Sequence, residues 1–287
     1  MLTLQSVANL TQDMLQKGVI QTMAMSSAVL EEIPFINVQG NGYSYNVMEA
    51  LPEVGYRKIN EGYAPGEAEV KKHTEFLAIV GGFADVDQFD VQVSSNINDI
   101  RSIMTQAKAT AVAQQFERDF FIGEATDGKT LKGLDKRLAE NVAGVEIKSE
   151  LTLDALNELL DAVIGGASVL YMSKKMRRQV LALLQSSNHY IENGVDAFGR
   201  PVAVYGGVKI RAVEDSLIPA DKIYAVRFDV TNGVHGIQNG SLVAKDLGLL
   251  NDRPVYRTLI EWYVGLATKH NKSFAVLNTT VAKAKTK

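Results

Sequence analysis

Apolar positions along the chain change their period several times, and each change marks an element. In the first 33 residues Leu4, Val7, Ala8, Met14 and Leu15, then Ile20, Met23 and Leu30, recur at helical spacing around Gly18. This predicts a pair of short amphipathic helices, the second ended by Pro34. Residues 76–93 read as strand, with Gly81 and Gly82 marking a bulge or a close backbone approach. Asn98 or Asp99 is placed to cap a helix running to about Phe121, with Ile100, Met104, Ala107 and Ala111 along it and Phe116, Phe120 and Phe121 at its far end. About 24 residues at 1.5 Å each make a rod of roughly 36 Å, a structural axis.

The second half alternates between the two periods. Thr152 caps a helix whose stripe of Leu153, Leu156, Leu159, Leu160, Val163 and Ile164 stops at Gly165 and Gly166. A buried strand, SVLYM, leads to Ser173, the cap of a further helix with Met176, Val180, Leu183 and Leu184 inward and Lys174, Lys175, Arg177 and Arg178 in water. PVAVY and VKIRAV form a hairpin around Gly206 and Gly207. Strands follow at 223–228 and 233–240. A long one runs from Val255 to Lys269, with Tyr256, Thr258, Ile260, Trp262, Val264 and Leu266 on one face and Arg257, Glu261 and Tyr263 on the other. Its length favours a long two-stranded ribbon over a compact barrel.

One stretch fits neither period. Residues 36–75 read as extended or turning backbone, and Val47, Leu51, Val54 and Ile59 are too scattered to pack on one another. Fixing this stretch costs roughly 40 to 80 kcal/mol of backbone entropy. A disordered insertion is the bland alternative, but strand patterns flank the run on both sides, and long loops in compact chains are usually functional. Four of the ten tyrosines, Tyr43, Tyr45, Tyr56 and Tyr63, fall here. Tyrosine offers contact area with a polar tip and little rotamer entropy, which suits a surface laid against another molecule.

Composition narrows the function. The 287 residues carry 30 Lys and Arg against 33 Asp and Glu, a net charge of −3 that leaves no electrostatic footprint for wrapping nucleic acid. Absence of cysteine excludes disulfides, thiolate metal sites and cysteine nucleophiles. The N-terminus lacks the features of a signal peptide and is expected to be retained. The most apolar run, Phe76 to Ala84, is far too short to span a bilayer, and the basic tail VAKAKTK reads as a solvated end.

Candidate chemistry is thin. GEATDGKT, Gly123 to Thr130, fits the phosphate-loop pattern G-x-x-x-x-G-K-[ST]. It follows a helix rather than a strand, however, and Glu124 and Asp127 would oppose a polyphosphate, so a turn leaving the helix is expected and a phosphate-loop nucleotidase is the weaker alternative. Asp85 and Asp87 share one side of a strand without a third oxygen ligand, and His73, His189, His235 and His270 are scattered. Neither set predicts a metal site, and no cofactor or catalytic residue is expected.

The order of these pieces resembles the major capsid proteins of tailed bacteriophages, the Hong Kong 97 fold. GNGYSYNVMEALPEVGYRKINEGY is similar to that family's extended loop and NINDIRSIMTQAKATAVAQQFERDFFIG to its spine helix. SVLYMSKKMRRQVLALL resembles the strand and helix of the axial domain, GRPVAVYGGVKIRAV its hairpin, and RPVYRTLIEWYVGLATKHNKSFAVLN the terminal strands. The resemblance covers nearly the whole chain and implies an α+β subunit. Its parts would be an N-terminal arm (1–35), an extended loop (36–75), a peripheral domain (76–135 and 240–272, spine helix about 98–121) and an axial domain (136–239 and 273–287). It further implies assembly through pentamers and hexamers into an icosahedral shell around double-stranded DNA, bound without sequence specificity. The shell would form in the host cytoplasm with scaffolding protein, a portal and any decoration protein. An encapsulin-like compartment is the alternative within the fold. The loop residues Tyr43, Tyr45, Tyr56, Arg57, Lys58 and Tyr63 become the expected inter-subunit contacts. Some relatives crosslink a loop lysine to an asparagine; here Lys58, Lys71 and Lys72, with Asn271 or Asn278, read more simply as solvated side chains.

Overall fold

The computed structural model describes all residues except 1–2, 12, 51, 64–65, 67–68, 95–98, 126–128, 188–191, 197 and 280–287. Asn98, Leu51, Asp127, His189 and the basic tail therefore lie outside the described residues. The chain opens with three helices rather than two: α1 (Leu4–Leu10), α2 (Met14–Ser26) and α3 (Ala28–Glu32). The breaks fall where side chains cap, at Asp13, whose Oδ1 accepts from Leu15 N at 2.9 Å, and at Ser27, whose Oγ accepts from Leu30 N at 3.3 Å. Gly18 sits inside α2. A helical glycine costs about 1 kcal/mol, and a cap returns about as much by satisfying orphan amides.

After β1 (Phe35–Asn37), β2 (Gly42–Ala50) and β3 (Glu69–Phe76) pair antiparallel as a separate hairpin, with Tyr43 opposite Glu75 and Tyr45 opposite His73. β4 (Ala78–Asp87) follows at once and gives way to a helix, α4 (Gln88–Ser94), where the sequence suggested continued strand. Asp87 ends the strand by accepting from Phe89 N at 2.8 Å, an Asx turn that the alternation of residues 88–93 does not reveal. The long helix α5 (Ile100–Ile122) starts at the cap Asp99 and buries Thr105, Ala109, Val112, Ala113, Phe116, Phe120 and Phe121. Met104, Ala107 and Ala111 face water instead. Small residues surround this helix, so two stripes at the same spacing competed, and packing against the sheet selected the other one.

The remaining elements are α6 (Leu134–Ala139), β5 (Val145–Ser149), α7 (Leu153–Asp161), β6 (Val169–Ser173), α8 (Lys174–Ser186), β7 (Glu192–Val195), β8 (Pro201–Tyr205), β9 (Val208–Val213), β10 (Lys222–Val226), β11 (Val234–Gln238), β12 (Val243–Leu249), β13 (Val255–Thr268) and β14 (Phe274–Thr279). Thr152 and Ser173 cap α7 and α8 as expected, and Gly206 and Gly207, both at positive φ, turn β8 into β9.

Two sheets organise the body. In the first, β13 is paired along one side by β4 and along the other by β12 and then β11, with β1 parallel to β11. The long strand thus lies in the middle of a five-stranded sheet, not in a two-stranded ribbon, because its neighbours divide its length between them. β4 runs past it in unbroken register, and Gly81 is the close approach: a Cβ there would come within 2.3 Å of the Ile260 carbonyl oxygen. The second sheet has the order β5-β14-β10-β6-β9-β8-β7. β11 belongs with β13, so the change of sheet falls between β10 and β11 rather than at residue 240.

One core joins α1 to α3, α5 and both sheets around Trp262, Phe35 and Phe116; a second lies under α7 and α8. Trp262 satisfies its buried indole by donating from Nε1 to Gln238 Oε1 at 3.1 Å. The apolar faces of α1 to α3 therefore pack on their own body.

Candidate assembly interface

The hairpin divides into a root that its own chain buries and a tip whose described residues are exposed. At the root Tyr45 is 7 % exposed and packs with Val47, Ile237 and Ala267. Its hydroxyl donates to Glu75 Oε1 at 3.4 Å and accepts from Thr268 N at 3.2 Å. Burial, then the neighbouring Glu75 carboxylate, raises the pKa of that phenol, so it stays a neutral donor. Tyr43 stacks on Tyr45 with ring centroids 5.4 Å apart and meets His235 edge-on at 6.1 Å; His73 stacks on Tyr45 from the other side.

Beneath the rings lies Arg137, fully buried on α6. Its Nη1 donates to Glu75 Oε1 at 2.6 Å and Thr268 Oγ1 at 3.2 Å, Nη2 to the Leu266 carbonyl at 2.7 Å and Nε to the Lys132 carbonyl at 3.0 Å. His235 is buried with neither ring nitrogen in a well-formed hydrogen bond. Desolvation first, then the charge of Lys269, lowers its pKa to about 4, so it is neutral near pH 7.

The tip is the opposite environment. Every described residue from Pro52 to Tyr63 is exposed, and Val54, Tyr56, Ile59 and Tyr63 are each at least 70 % exposed. Local order comes from a turn in which Lys58 N donates to Glu61 Oε2 at 3.0 Å and Asn60 takes φ 69°, while the Arg57 guanidinium sits 5.3 Å from the Tyr63 ring centre. Val54, Tyr56, Ile59 and Tyr63 thus hold four large apolar side chains in water on one protrusion.

The six residues singled out from the sequence thus separate. Tyr56, Arg57, Lys58 and Tyr63 are at the tip, whereas Tyr43 and Tyr45 belong to the root and pack against their own chain. The sequence suggested contact with another molecule for all six, and for Tyr43 and Tyr45 the surface beneath the rings is β11 and β13 of the same chain. Sequence reasoning missed Arg137, Glu75, Thr268 and His235. A signal existed for Arg137, which shares a helical face with Leu134 and Leu138: a charge inside an apolar stripe. Glu117 carries the same signal between Phe116 and Phe120. It is buried on α5, its Oε1 accepts from Ala28 N at 3.0 Å and Val29 N at 3.3 Å at the start of α3, and burial raises its pKa to about 7.

Other candidates resolve into structure. Asp85 accepts both Nε and Nη2 of Arg257, at 2.7 and 2.6 Å. Gly123 closes α5 by donating to the Asp119 carbonyl, so the phosphate-loop match begins at a helix end, the wrong context for cradling phosphate. Asn278 donates to Glu146. Among the described residues no group of three or more His, Asp or Glu could hold a metal ion, and no helix is long and apolar enough to cross a membrane.

Solved structures share this body of two sheets and one long helix. The chain is similar to the holo-SrpI encapsulin of Synechococcus elongatus PCC 7942 (TM-score 0.67, 16 % identity, 89 % of this chain and 90 % of that one). It is also similar to the capsid of a native GTA particle (0.66, 14 %, 89 % and 91 %) and to the capsid of cyanophage A-1(L) (0.66, 13 %, 88 % and 92 %). The fold is the Hong Kong 97-like α+β fold of capsids. No curated protein matches the sequence significantly. A family profile does, over residues 11–155: the chain belongs to the family of major capsid protein GP7 and is a subunit of a capsid shell.

Proposed function

We propose that copies of this chain assemble through pentamers and hexamers into an icosahedral shell enclosing double-stranded DNA, and that the hairpin tip is the contact between neighbours. The observation that carries this reading is the division of the hairpin, with its root buried in its own body and its tip apolar and uncovered. Tyr56, Arg57, Lys58 and Tyr63 would lie across the peripheral part of the next subunit. The body has matching uncovered apolar side chains, Ile103 and Met104 on α5 and Phe89 and Val93 on α4, which packs beside it. A tip on one face and an acceptor on another make a heterologous contact, which closes into rings. The role is structural and needs no catalysis. The net charge of −3 suits enclosing DNA without gripping it. Scaffolding protein, portal and any decoration protein would be separate chains, with assembly in the host cytoplasm. The first sheet with α5 would form the peripheral domain, and the second sheet with α7 and α8 the axial domain.

Electron microscopy of the expressed protein tests this. Closed particles are expected from the parent chain. Replacing residues 48–68 with a short glycine-serine linker should leave a folded subunit that builds none; particles of normal form from that variant would refute the role of the tip. Nucleic acid inside purified particles is the expected content, and a protein cargo in its place would assign the shell to the encapsulin-like alternative.

A further inference from the structure

The hairpin joins its body at few points, and the geometry of those points concerns direction more than stability. Asn41 O accepts from Leu77 N at 3.1 Å and Asn239 Nδ2 donates to Gly40 O at 3.1 Å, which fixes where the two strands start. Neither contact fixes the angle at which they leave, because single bonds at a hinge permit rotation. Glu75 does. It stands two residues before Leu77, where β3 passes into β4, and its carboxylate is held by an arginine that cannot follow it. Arg137 is pinned from three further directions, by the Leu266 carbonyl, the Thr268 hydroxyl and the Lys132 carbonyl. The Tyr45 hydroxyl repeats the arrangement from the other strand, touching Glu75 and the Thr268 amide. Swinging the hairpin about residues 41 and 77 pulls against these contacts, which lie at a largely buried site with Arg137 wholly enclosed.

We propose that Arg137 is a positioning residue for assembly: by gripping Glu75 it aims the hairpin, and so sets where the tip meets the next subunit. This rests on the reading of the tip as the inter-subunit contact. Leverage makes the aim matter. A nine-residue strand at about 3.3 Å per residue carries the tip roughly 30 Å from the root, so a swing of about 10° moves it about 5 Å. Close-packed contacts do not tolerate such a displacement. Arg137 also holds the Lys132 carbonyl in the loop after α5, so the aim is referred to the long helix as well as to β13.

The test removes the pair without leaving a lone buried charge, by combining Glu75→Gln with Arg137→Met. Three readouts are taken: the thermal midpoint of the unassembled subunit, amide hydrogen exchange, and particle yield and diameter by electron microscopy. The expected result is a folded subunit in which amides of residues 43–47 and 70–76 exchange at least about 10-fold faster while those of β13 are unchanged. Particles should be lost or scattered in diameter. Parental particles at parental yield from this variant would overturn the proposal, as would faster exchange spread evenly over the body, the mark of a merely structural role. Should the double variant fail to fold, Tyr45→Phe, which removes one hydroxyl, is judged by the same exchange and particle readouts. The 48–68 replacement runs in parallel: if it too builds normal particles, the tip reading has failed; if it builds none while the clasp variants assemble normally, only the clasp has failed.

Discussion

Root and tip of the hairpin carry the same kinds of residue and do opposite things with them. Tyr43 and Tyr45 pack over β11 and β13, the Tyr45 hydroxyl hydrogen-bonded there, whereas Tyr56 and Tyr63, within 20 positions of them, are exposed, Tyr63 with the Arg57 guanidinium beside its ring. The difference is one of surroundings rather than composition. A tyrosine stabilises a subunit when the sheet beneath it belongs to the same chain, and stabilises an assembly when the receiving surface belongs to another. One segment can therefore be half core and half interface.

The sharpest way to break this contrast is to cut the root. Tyr45→Ala is expected to lower the unfolding free energy of the unassembled subunit by about 3–5 kcal/mol, measured by urea denaturation, since it empties a buried aromatic site and strands the Thr268 amide. A loss near zero would mean that the root is as dispensable to the subunit as the tip.

Acid should reach the root as well. His235 has a folded pKa of about 4, below its ordinary 6.5, so between those values the unfolded chain binds the extra proton. Stability is then fully present above pH 6.5 and is lost as pH falls toward 4. With the shift worth about 3 kcal/mol, stability measured across that window should change in favour of His235→Gln by about that amount as pH drops. Lys269 and Arg137 are the nearby cations that oppose the charge, and Asp229 only partly offsets them.

Glu117, away from the hairpin, provides a control of opposite sign. Its pKa is raised to about 7, so the folded state holds the extra proton between pH 4.5 and 7 and loses stability as pH rises through that range. Glu117→Gln should gain on the parent by about 3 kcal/mol from pH 4.5 to above 7. If both variants shifted in the same direction, the assignment of either burial would be wrong. The smallest effect sharpens the tip: Tyr56→Ser and Ile59→Ser should each change subunit stability by less than about 0.5 kcal/mol, because exposed side chains away from any packing have little to lose. Particle yield should nevertheless fall in both.

Much of this fold could be read from periodicity and caps. Asp99, Thr152 and Ser173 are caps in the structure, β6 is buried throughout, and Gly206 with Gly207 turns the hairpin expected there. Where reading failed, two local answers were equally good. Met104 and Val112 lie on stripes of the same spacing, and only the sheet determines which is inside. Residues 88–93 alternate like a strand but follow an aspartate that turns the backbone. The clasp was harder still, since Glu75, Arg137 and Thr268 lie 62 and 131 residues apart and no local pattern links them. A charge within an apolar stripe was the available clue, and it names a buried ion without naming its partner.

The position of β14 has a consequence for how such a subunit is made. Residues 274–279 do not lie along an edge; they fill the slot between β10 and β5 and add to both cores. Until those residues have left the ribosome, the larger sheet is split and β5 has nothing to pair with. A copy that stops short of Phe274 therefore keeps the β11 and β13 seat of its hairpin but has an open slot through the larger sheet.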